Sequence, residues 1–290
     1  MRIDPAAQNT SHGLLLELVG ADSRVLDLGC ATGYLAEALG SVGCKVSGVE
    51  YVPEAAEKAR PFLERLVIAD LNELDLVAEF GAGSFDTVVF GDVLEHLTDP
   101  EAVLRGAVPL LAPGGSIVIS VPNVTHGSLR LALLQGRWRY TETGLLDRTH
   151  VRFFTRRSLI ELLTSAGLAP VDLRRTTADP LGVEVEVDPT DLPDGVVEWL
   201  AGQEDADTYQ FVVRAVVDDA EAAVTQLARR AADVEARLER AERELDAERR
   251  ARLAAEHDIA ALRSTLGFRA LSTPRRWYAA ARRTTSRGFE

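Results

Sequence analysis

Short runs of apolar, β-branched residues alternate with segments of helical periodicity from about residue 14 to residue 217. Near-continuous apolar strands separated by helices are typical of a parallel sheet covered on both faces. The pattern predicts strands at 24–30, 45–50, 65–70, 85–90, 115–122, 170–176 and 209–217. It predicts helices at 34–43, 53–66, 99–111 and 156–168. The fold class is therefore α/β, with a Rossmann-like sheet of seven strands.

The last two predicted strands are separated by an acidic, proline-containing stretch, 179–207, in which we find no helical pattern. Parallel neighbours need a crossover connection, usually a helix, whereas antiparallel neighbours do not. We therefore expect these two strands to form an antiparallel pair at one edge of the sheet.

The periodicity changes after residue 218. Eleven of thirteen a and d heptad positions between Val224 and Leu266 are apolar, and the g and following e positions carry opposite charges. This pattern is typical of a parallel two-stranded coiled coil; the alternative is a single solvated helix, since such sequences are helical anyway. We predict three parts: a domain at 1–217, a coiled coil at 218–266 that pairs two chains, and a basic aromatic tail at 267–290.

Composition narrows the class of protein. The net charge of −13 argues against a nucleic-acid partner. Two cysteines without a CxxC spacing, and the absence of a signal peptide or an apolar run of bilayer length, favour the cytoplasm. The tail, with six arginines and interleaved aromatic residues, is a candidate contact for the inner membrane face or for a glycosyltransferase.

The predicted strand ends carry a possible nucleotide site. The first strand runs into "DLGCATG", the second ends in Glu50 and the third ends at Asp70. Glycines let the backbone approach a ligand closely, and an acid at the end of the second strand can accept hydrogen bonds from a ribose. A glycine-rich turn alone is a weak signal, but the ordered series is much stronger.

The fourth strand runs into "GDVLEHL", which places Asp92, Glu95 and His96 within five positions. Three interpretations stay open. Asp92 caps a helix while the other two line the rim of a pocket; His96 is a general base; or the three groups converge on a cation.

The series from "VLDLGCATGYLAEAL" through "GVEYVPEAAEKAR", "VIADLNEL" and "FDTVVFGDVLEHL" to "HVRFFTRRSLIELLTSAGL" resembles class I S-adenosylmethionine-dependent methyltransferases. The resemblance implies S-adenosylmethionine as the cofactor. It implies that the cofactor contacts Asp27, Gly29, Ala31 and Gly33 at its methionine, Glu50 at its ribose, and Tyr51 and Asp70 at its adenine, and we add Leu71 and Asp92 to this set. Ala31 stands where the family has a glycine.

Ubiquinone-biosynthesis O-methyltransferases and small-RNA 2′-O-methyltransferases look similar around "DVLEHL". By that resemblance a divalent metal ion would be held by Asp92, Glu95, His96 and the later His150, with Asp92 replacing a longer glutamate. His96 and His150 are also the candidate catalytic residues.

The segment 128–157 contains seven arginines, for which two interpretations stay open. They bind an anionic acceptor, or they pair with the acidic 179–207 segment of the same domain. "GLLDRTHVRFFT" is most similar to methyltransferases found with bacterial surface-polysaccharide glycosyltransferases. We expect O-methylation of a sugar or other polar acceptor in cell-surface glycan biosynthesis. The alternatives are a methyltransferase for a small aromatic or lipid acceptor, and a coiled-coil scaffold with a vestigial methyltransferase domain.

Overall fold

The computed structural model describes residues 9–219 and, beyond them, seven separate positions. The chain divides into two units, Met1–Gln226 and Leu227–Glu290, and each is described by itself. The seven separate positions are all helical; they are Leu245, Arg249, Arg250, Arg252, Glu256, Ile259 and Ala261. The coiled-coil pairing and the basic tail lie outside the described residues. No helix in the described ranges has the length and hydropathy needed to cross a bilayer.

The first unit contains a mixed sheet of seven strands, as the sequence predicts. The strands are β1 (Arg24–Leu28), β2 (Lys45–Glu50), β3 (Arg65–Ile68), β4 (Phe85–Gly91), β5 (Leu111–Pro122), β6 (Leu168–Thr177) and β7 (Thr208–Val217). Their order is β3-β2-β1-β4-β5-β7-β6. The first five are parallel, and β7 lies antiparallel between β5 and β6. The predicted antiparallel pair at the sheet edge is confirmed.

Eight α-helices are present in the described part of this unit. They are α1 (Ser11–Val19), α2 (Tyr34–Ser41), α3 (Pro53–Ala59), α4 (Leu76–Phe80), α5 (Pro100–Ala107), α6 (Gly127–Leu134), α7 (Arg156–Ser165) and α8 (Val196–Ala201). Four of them, α2, α3, α5 and α7, match predicted helices. The expectation of no helix between the last two strands is wrong, because the six-residue α8 lies there.

Two hydrophobic layers show that helices cover both faces of the sheet. Successive residues of a strand point to opposite faces. Leu26 accordingly belongs to a layer formed with α4, α5 and α7, whereas Val25 belongs to a layer formed with α1 and α2. Strands buried on both faces account for the near-continuous apolar runs in the sequence.

Strand register brings the carboxyl ends of the central strands together. Leu28 of β1 pairs with Val49 of β2 on one side and with Phe90 of β4 on the other. The chain order reverses between β1 and β4, and open parallel sheets bind ligands outside such a switch point. The residues that follow these three positions therefore form the candidate site.

Candidate active site

The loop between β1 and α2 needs its glycines for steric reasons. Gly29 has φ 77°, and a Cβ atom there would lie 2.5 Å from Val93 Cγ2. Gly33 has φ 81°, and a Cβ atom there would lie 2.7 Å from the Cα of Ala59 in α3. Ala31 also adopts a positive φ, 48°, which glycine tolerates better than alanine does. The loop thus packs tightly against its neighbours on two sides.

Glu50, at the end of β2, holds this loop in place. One carboxylate oxygen accepts a hydrogen bond from the Ala31 backbone N–H at 2.8 Å, and the other accepts one from the Val52 N–H at 2.8 Å. Each carboxylate oxygen can accept more than one hydrogen bond. Glu50 therefore organises the loop and keeps acceptor capacity for a ligand hydroxyl.

Asp27 lies beneath the loop and is 2% exposed. Its Oδ2 atom has no hydrogen-bond partner among the residues that the structure describes. Burial, and secondarily the charge of Glu50, raises the pKa of Asp27 to about 7. A buried carboxylate with spare acceptor capacity suits a cationic ligand, which would favour the ionised form.

A cavity of about 590 Å³ opens beside the ends of β1, β2, β3 and β4. It is large enough for a cofactor, since ligand pockets commonly measure ~300–1,000 Å³. The predicted cofactor residues that line it are Gly29, Glu50, Tyr51, Asp70, Leu71 and Asp92. Asp27, Ala31 and Gly33 do not line it; they belong to β1 and to the loop that follows it. The cavity also reaches His96, one of the candidate catalytic residues.

Two lining residues that the sequence analysis did not single out fix the cavity walls. Asn72 donates to Asp70 Oδ1 from its Nδ2 at 2.8 Å, and its own Oδ1 accepts from the backbone and hydroxyl of Thr98. Thr149 contacts His96, with both its carbonyl oxygen and its hydroxyl 3.2 Å from Nδ1. The only feature of the sequence that points to Asn72 is its place two residues after Asp70, a predicted cofactor residue.

Asp92 has a role that none of the three interpretations included. It follows β4 with φ 56°, and its Oδ1 accepts hydrogen bonds from Ser120 Oγ at 2.7 Å and Gln210 Nε2 at 2.9 Å. The turn that follows, Leu94–His96, is a 3₁₀ helix whose N-cap residue is Val93, without a side-chain cap. Asp92 therefore braces β4 against β5 and β7 and does not cap a helix.

Glu95, His96 and His150 converge on one point at the edge of the cavity. Each offers one ligand atom, and these three atoms lie within 4.8 Å of one another. Asp92, the fourth predicted ligand, does not belong to this group. Glu95 is 1% exposed, and neither carboxylate oxygen has a hydrogen-bond partner in the described ranges. Burial, and secondarily the charge of Asp92, raises the pKa of Glu95 well above its usual value.

The segment that carries His150 also positions His96. A proton on His96 Nδ1 would be donated to the Thr149 carbonyl oxygen, leaving Nε2 free to accept. The His96 and His150 ring centroids are 4.9 Å apart. Burial and the neighbouring His96 lower the pKa of His150, which keeps its imidazole neutral and able to act as a ligand. The backbone N–H groups of Val151 and Arg152 donate to the Glu95 carbonyl oxygen and join the two segments.

The arginines of 128–157 pair largely with acidic or carbonyl groups of the same unit. Arg139 forms an ion pair with Glu186 at 3.0 Å, and Arg156 forms one with the buried Asp205. Arg130 donates to the carbonyl oxygens of Thr125 and Glu204. The alternative in which these arginines neutralise the 179–207 segment accounts for Arg139 and Arg156.

A switch-point cavity lined by strand-end acids is the arrangement of an S-adenosylmethionine-dependent methyltransferase. Residues 7–173, more than half of the chain, match the profile of the methyltransferase domain family, and the chain belongs to that family. It is a class I S-adenosylmethionine-dependent methyltransferase, and S-adenosylmethionine is its cofactor.

Two relatives illustrate the match. The chain is 37% identical over 171 residues to a ubiquinone biosynthesis O-methyltransferase of Xanthomonas euvesicatoria pv. vesicatoria (strain 85-10), which covers 57% of this chain and 70% of the relative. It is 32% identical over 173 residues to the enzyme of the same name from Cereibacter sphaeroides (strain KD131 / KCTC 12085), covering 58% of this chain and 69% of the relative.

Among solved structures, the fold is similar to an S-adenosylmethionine-dependent methyltransferase from Thermotoga maritima, described as a possible histamine N-methyltransferase. The two share 21% identity with a TM-score of 0.51, over 72% of this chain and 88% of that one. At this identity the likeness shows the fold alone.

Proposed function

We propose that the protein transfers a methyl group from S-adenosylmethionine to a hydroxyl oxygen of a polar acceptor, with a divalent cation held by Glu95, His96 and His150. One observation carries the proposal. A carboxylate that is 1% exposed, with both oxygens unpartnered among the described residues, lies beside two imidazoles at the edge of the cofactor cavity.

The donor set fits a divalent cation. An unpaired buried carboxyl group costs stability, and such groups in native proteins are usually paired or bound to metal. One carboxylate with two imidazoles suits Zn²⁺, Fe²⁺ or Mn²⁺ better than Mg²⁺. Metal-bound histidines commonly donate their other ring N–H to a backbone carbonyl, as the contact between His96 and Thr149 allows.

Oxygen is the acceptor atom that the relatives support, because both are named O-methyltransferases. The hydroxyl oxygen bonds to the methyl carbon as the carbon–sulfur bond breaks and S-adenosylhomocysteine leaves. An aliphatic hydroxyl is a weak nucleophile at neutral pH, so its proton must pass to a base or to solvent in the same step. A bound divalent cation would supply that activation by lowering the pKa of a coordinated hydroxyl. By lowering its pKa, burial and the neighbouring His96 favour the neutral imidazole of His150, the form that can coordinate a cation.

The acceptor that we propose is a sugar or another polar hydroxyl compound of surface-glycan assembly. The relatives are named for ubiquinone biosynthesis, so a small aromatic or lipid acceptor is the second candidate. Strand-end acids beside a cofactor-sized cavity argue against a vestigial domain that serves only as a scaffold.

The test is Glu95→Gln with Glu73→Gln as the matched control, since Glu73 is an exposed glutamate close to the cofactor cavity in sequence. Purified protein would be analysed by inductively coupled plasma mass spectrometry, and S-adenosylmethionine binding would be measured by calorimetry. We expect about one equivalent of a transition metal in the control, strong loss of metal in Glu95→Gln, and similar cofactor affinity in both.

Methyl transfer should stop with a chelator and return with added metal. Full activity after exhaustive chelation, or unchanged metal content in Glu95→Gln, would contradict the metal site. Loss of cofactor affinity in the control variant would contradict the assignment of the cavity walls.

A further inference from the structure

A second cavity, of about 570 Å³, lies on the same unit and has no role in the proposed chemistry. Two exposed aromatic side chains line it: Trp138 is 40% exposed and Tyr140 is 51% exposed. Apolar surface of this kind on a folded domain commonly marks a binding site. We call this cavity the Trp138 groove.

The Trp138 groove is connected to the candidate metal site by a row of rings. The centroids of His150 and Phe153 are 6.4 Å apart, and those of Phe153 and Trp138 are 5.6 Å apart. Trp138 and Tyr140 meet edge to face at 6.5 Å. Trp138 is thus two ring contacts from His150, within the reach of an acceptor longer than a single ring.

The backbone of the same segment joins the two places. The Thr141 N–H donates to the Leu146 carbonyl at 2.9 Å, and the Arg148 N–H donates to the Thr141 carbonyl at 3.1 Å. Thr141 lines the Trp138 groove, and Thr149, one residue after Arg148, contacts His96. A ligand in the groove would therefore contact the same backbone segment that positions His96.

The walls of the Trp138 groove are charged. Arg139 and Glu186 pair at 3.0 Å, and their side chains are 82% and 68% exposed. Glu184 is fixed by the Tyr209 hydroxyl, 2.9 Å from each carboxylate oxygen, and by the Leu145 N–H at 2.6 Å. Arg137 also lines the groove. A long apolar chain laid here would remove water from these charged groups without offering them hydrogen bonds, which is costly.

We propose that the Trp138 groove binds a carbohydrate portion of the methyl acceptor, an inference that rests on the proposed function. A sugar ring presents C–H groups on its faces and hydroxyls around its edge. The faces suit packing on Trp138 and Tyr140, and the hydroxyls suit charge-assisted hydrogen bonds with Glu186, Arg139 and Arg137. The reacting hydroxyl then belongs to a neighbouring ring at the Glu95, His96 and His150 site, so the acceptor contains at least two rings.

The experiment uses the full-length protein, saturated with S-adenosylhomocysteine, on an array of defined di- to tetrasaccharides. 3,4-Dihydroxybenzoate and its decyl ester represent the aromatic and lipid classes. The variants are Trp138→Ala and Trp138→Phe. Trp199→Ala is the matched control, because Trp199 is an exposed tryptophan outside the groove lining, 63% exposed on α8.

We expect at least one saccharide to bind, with the dissociation constant raised about tenfold in Trp138→Ala, partly restored in Trp138→Phe and unchanged in Trp199→Ala. With that saccharide as acceptor, Trp138→Ala should raise KM and leave kcat nearly unchanged, because Trp138 contacts the acceptor away from the reacting atoms. Calorimetry with S-adenosylmethionine serves as the folding control.

Binding of the decyl ester with no saccharide bound would overturn the inference. So would the absence of binding by any saccharide, by the aromatic acid or by its ester. Equal saccharide affinity in Trp138→Ala and Trp199→Ala would also overturn it. These results leave the metal content and the chelator response of the wild-type protein untouched, so failure of the groove is distinguishable from failure of the proposed function.

Discussion

At the scale of single residues, Asp27 couples folding to pH. Its folded-state pKa is about 7, against ~3.9 for an unperturbed aspartate. Between these values the folded state holds a proton that the unfolded state has lost, so the unfolding free energy falls as pH rises from about 4 to 7. Over this pH range the unfolding free energy falls by up to ~4 kcal/mol, at about 1.4 kcal/mol per pKa unit.

Asp27→Asn should flatten that slope in the cofactor-free protein, because asparagine does not titrate. Urea unfolding at pH 5, 6, 7 and 8 on wild type and variant measures it. Parallel stability profiles for the two proteins would show that Asp27 titrates normally.

Substitution of Glu50 is expected to weaken cofactor binding. Glu50→Gln keeps the side-chain shape and one acceptor oxygen for the loop, but it removes the charge and one of the two backbone contacts. S-adenosylmethionine affinity should weaken by ~1–3 kcal/mol, the range for lost hydrogen bonds to a charged group. Glu54→Gln, an exposed position in α3, is the control. Equal affinity of the two variants by calorimetry would contradict the expectation that Glu50 contacts the cofactor ribose.

Among the elements, helix α2 offers a matched pair of glycines, one directly before the helix and one within it. A Cβ atom at Gly33, the residue that precedes the helix, would lie 2.7 Å from the Ala59 backbone, whereas a Cβ atom at Gly40 meets nothing within 4 Å. Gly33→Ala must displace the loop or α3, and cofactor binding should be lost. Gly40→Ala should stabilise the helix by ~0.5–1 kcal/mol. Calorimetry and thermal unfolding of both variants check this, and normal cofactor affinity in Gly33→Ala would contradict the packing argument.

The elements also show what sequence patterns reveal. The strands were predictable because burial on both faces leaves continuous apolar runs, and α2, α3, α5 and α7 because each has a polar and an apolar side. The short helices α4 and α8 span five and six residues, too few for a helical period to show. Helix α6, "GSLRLALL", is apolar on most sides, so its periodicity is hidden.

The candidate site also contains residues that the sequence reveals and contacts that only the fold creates. Glu95 and His96 are neighbours in sequence, and the later His150 came from a family resemblance. The brace at Asp92 joins it to Ser120 and Gln210, which are 28 and 118 residues away. No spacing rule connects such positions, because β7 reaches β5 only through the fold of the whole sheet. The Trp138 groove is a further case, since it pairs residues near 138 with residues near 185.

For the molecule as a whole, the heptad pattern after residue 218 predicts how chains assemble. Eleven of thirteen a and d positions from Val224 to Leu266 are apolar, and the g and following e charges are opposite. Such a seam buries apolar surface only when a second helix covers it. We therefore propose a parallel homodimer, with the six arginines of the tail brought together in two copies, where two weak contacts to an anionic surface or a glycosyltransferase reinforce each other.

The dimer is testable through the polar interruption of the seam. Glu248 and Arg252 occupy a d and an a position, where polar residues cost stability while fixing register. Full-length protein should be a dimer by light scattering, and a chain ending at Val217 should be a monomer that still binds S-adenosylmethionine. Replacing both polar residues with leucine should raise the melting temperature of the paired helices, measured by circular dichroism, and should permit assemblies larger than a dimer. A monomeric full-length protein would contradict the pairing, and a dimeric truncated chain would move the interface to the methyltransferase domain.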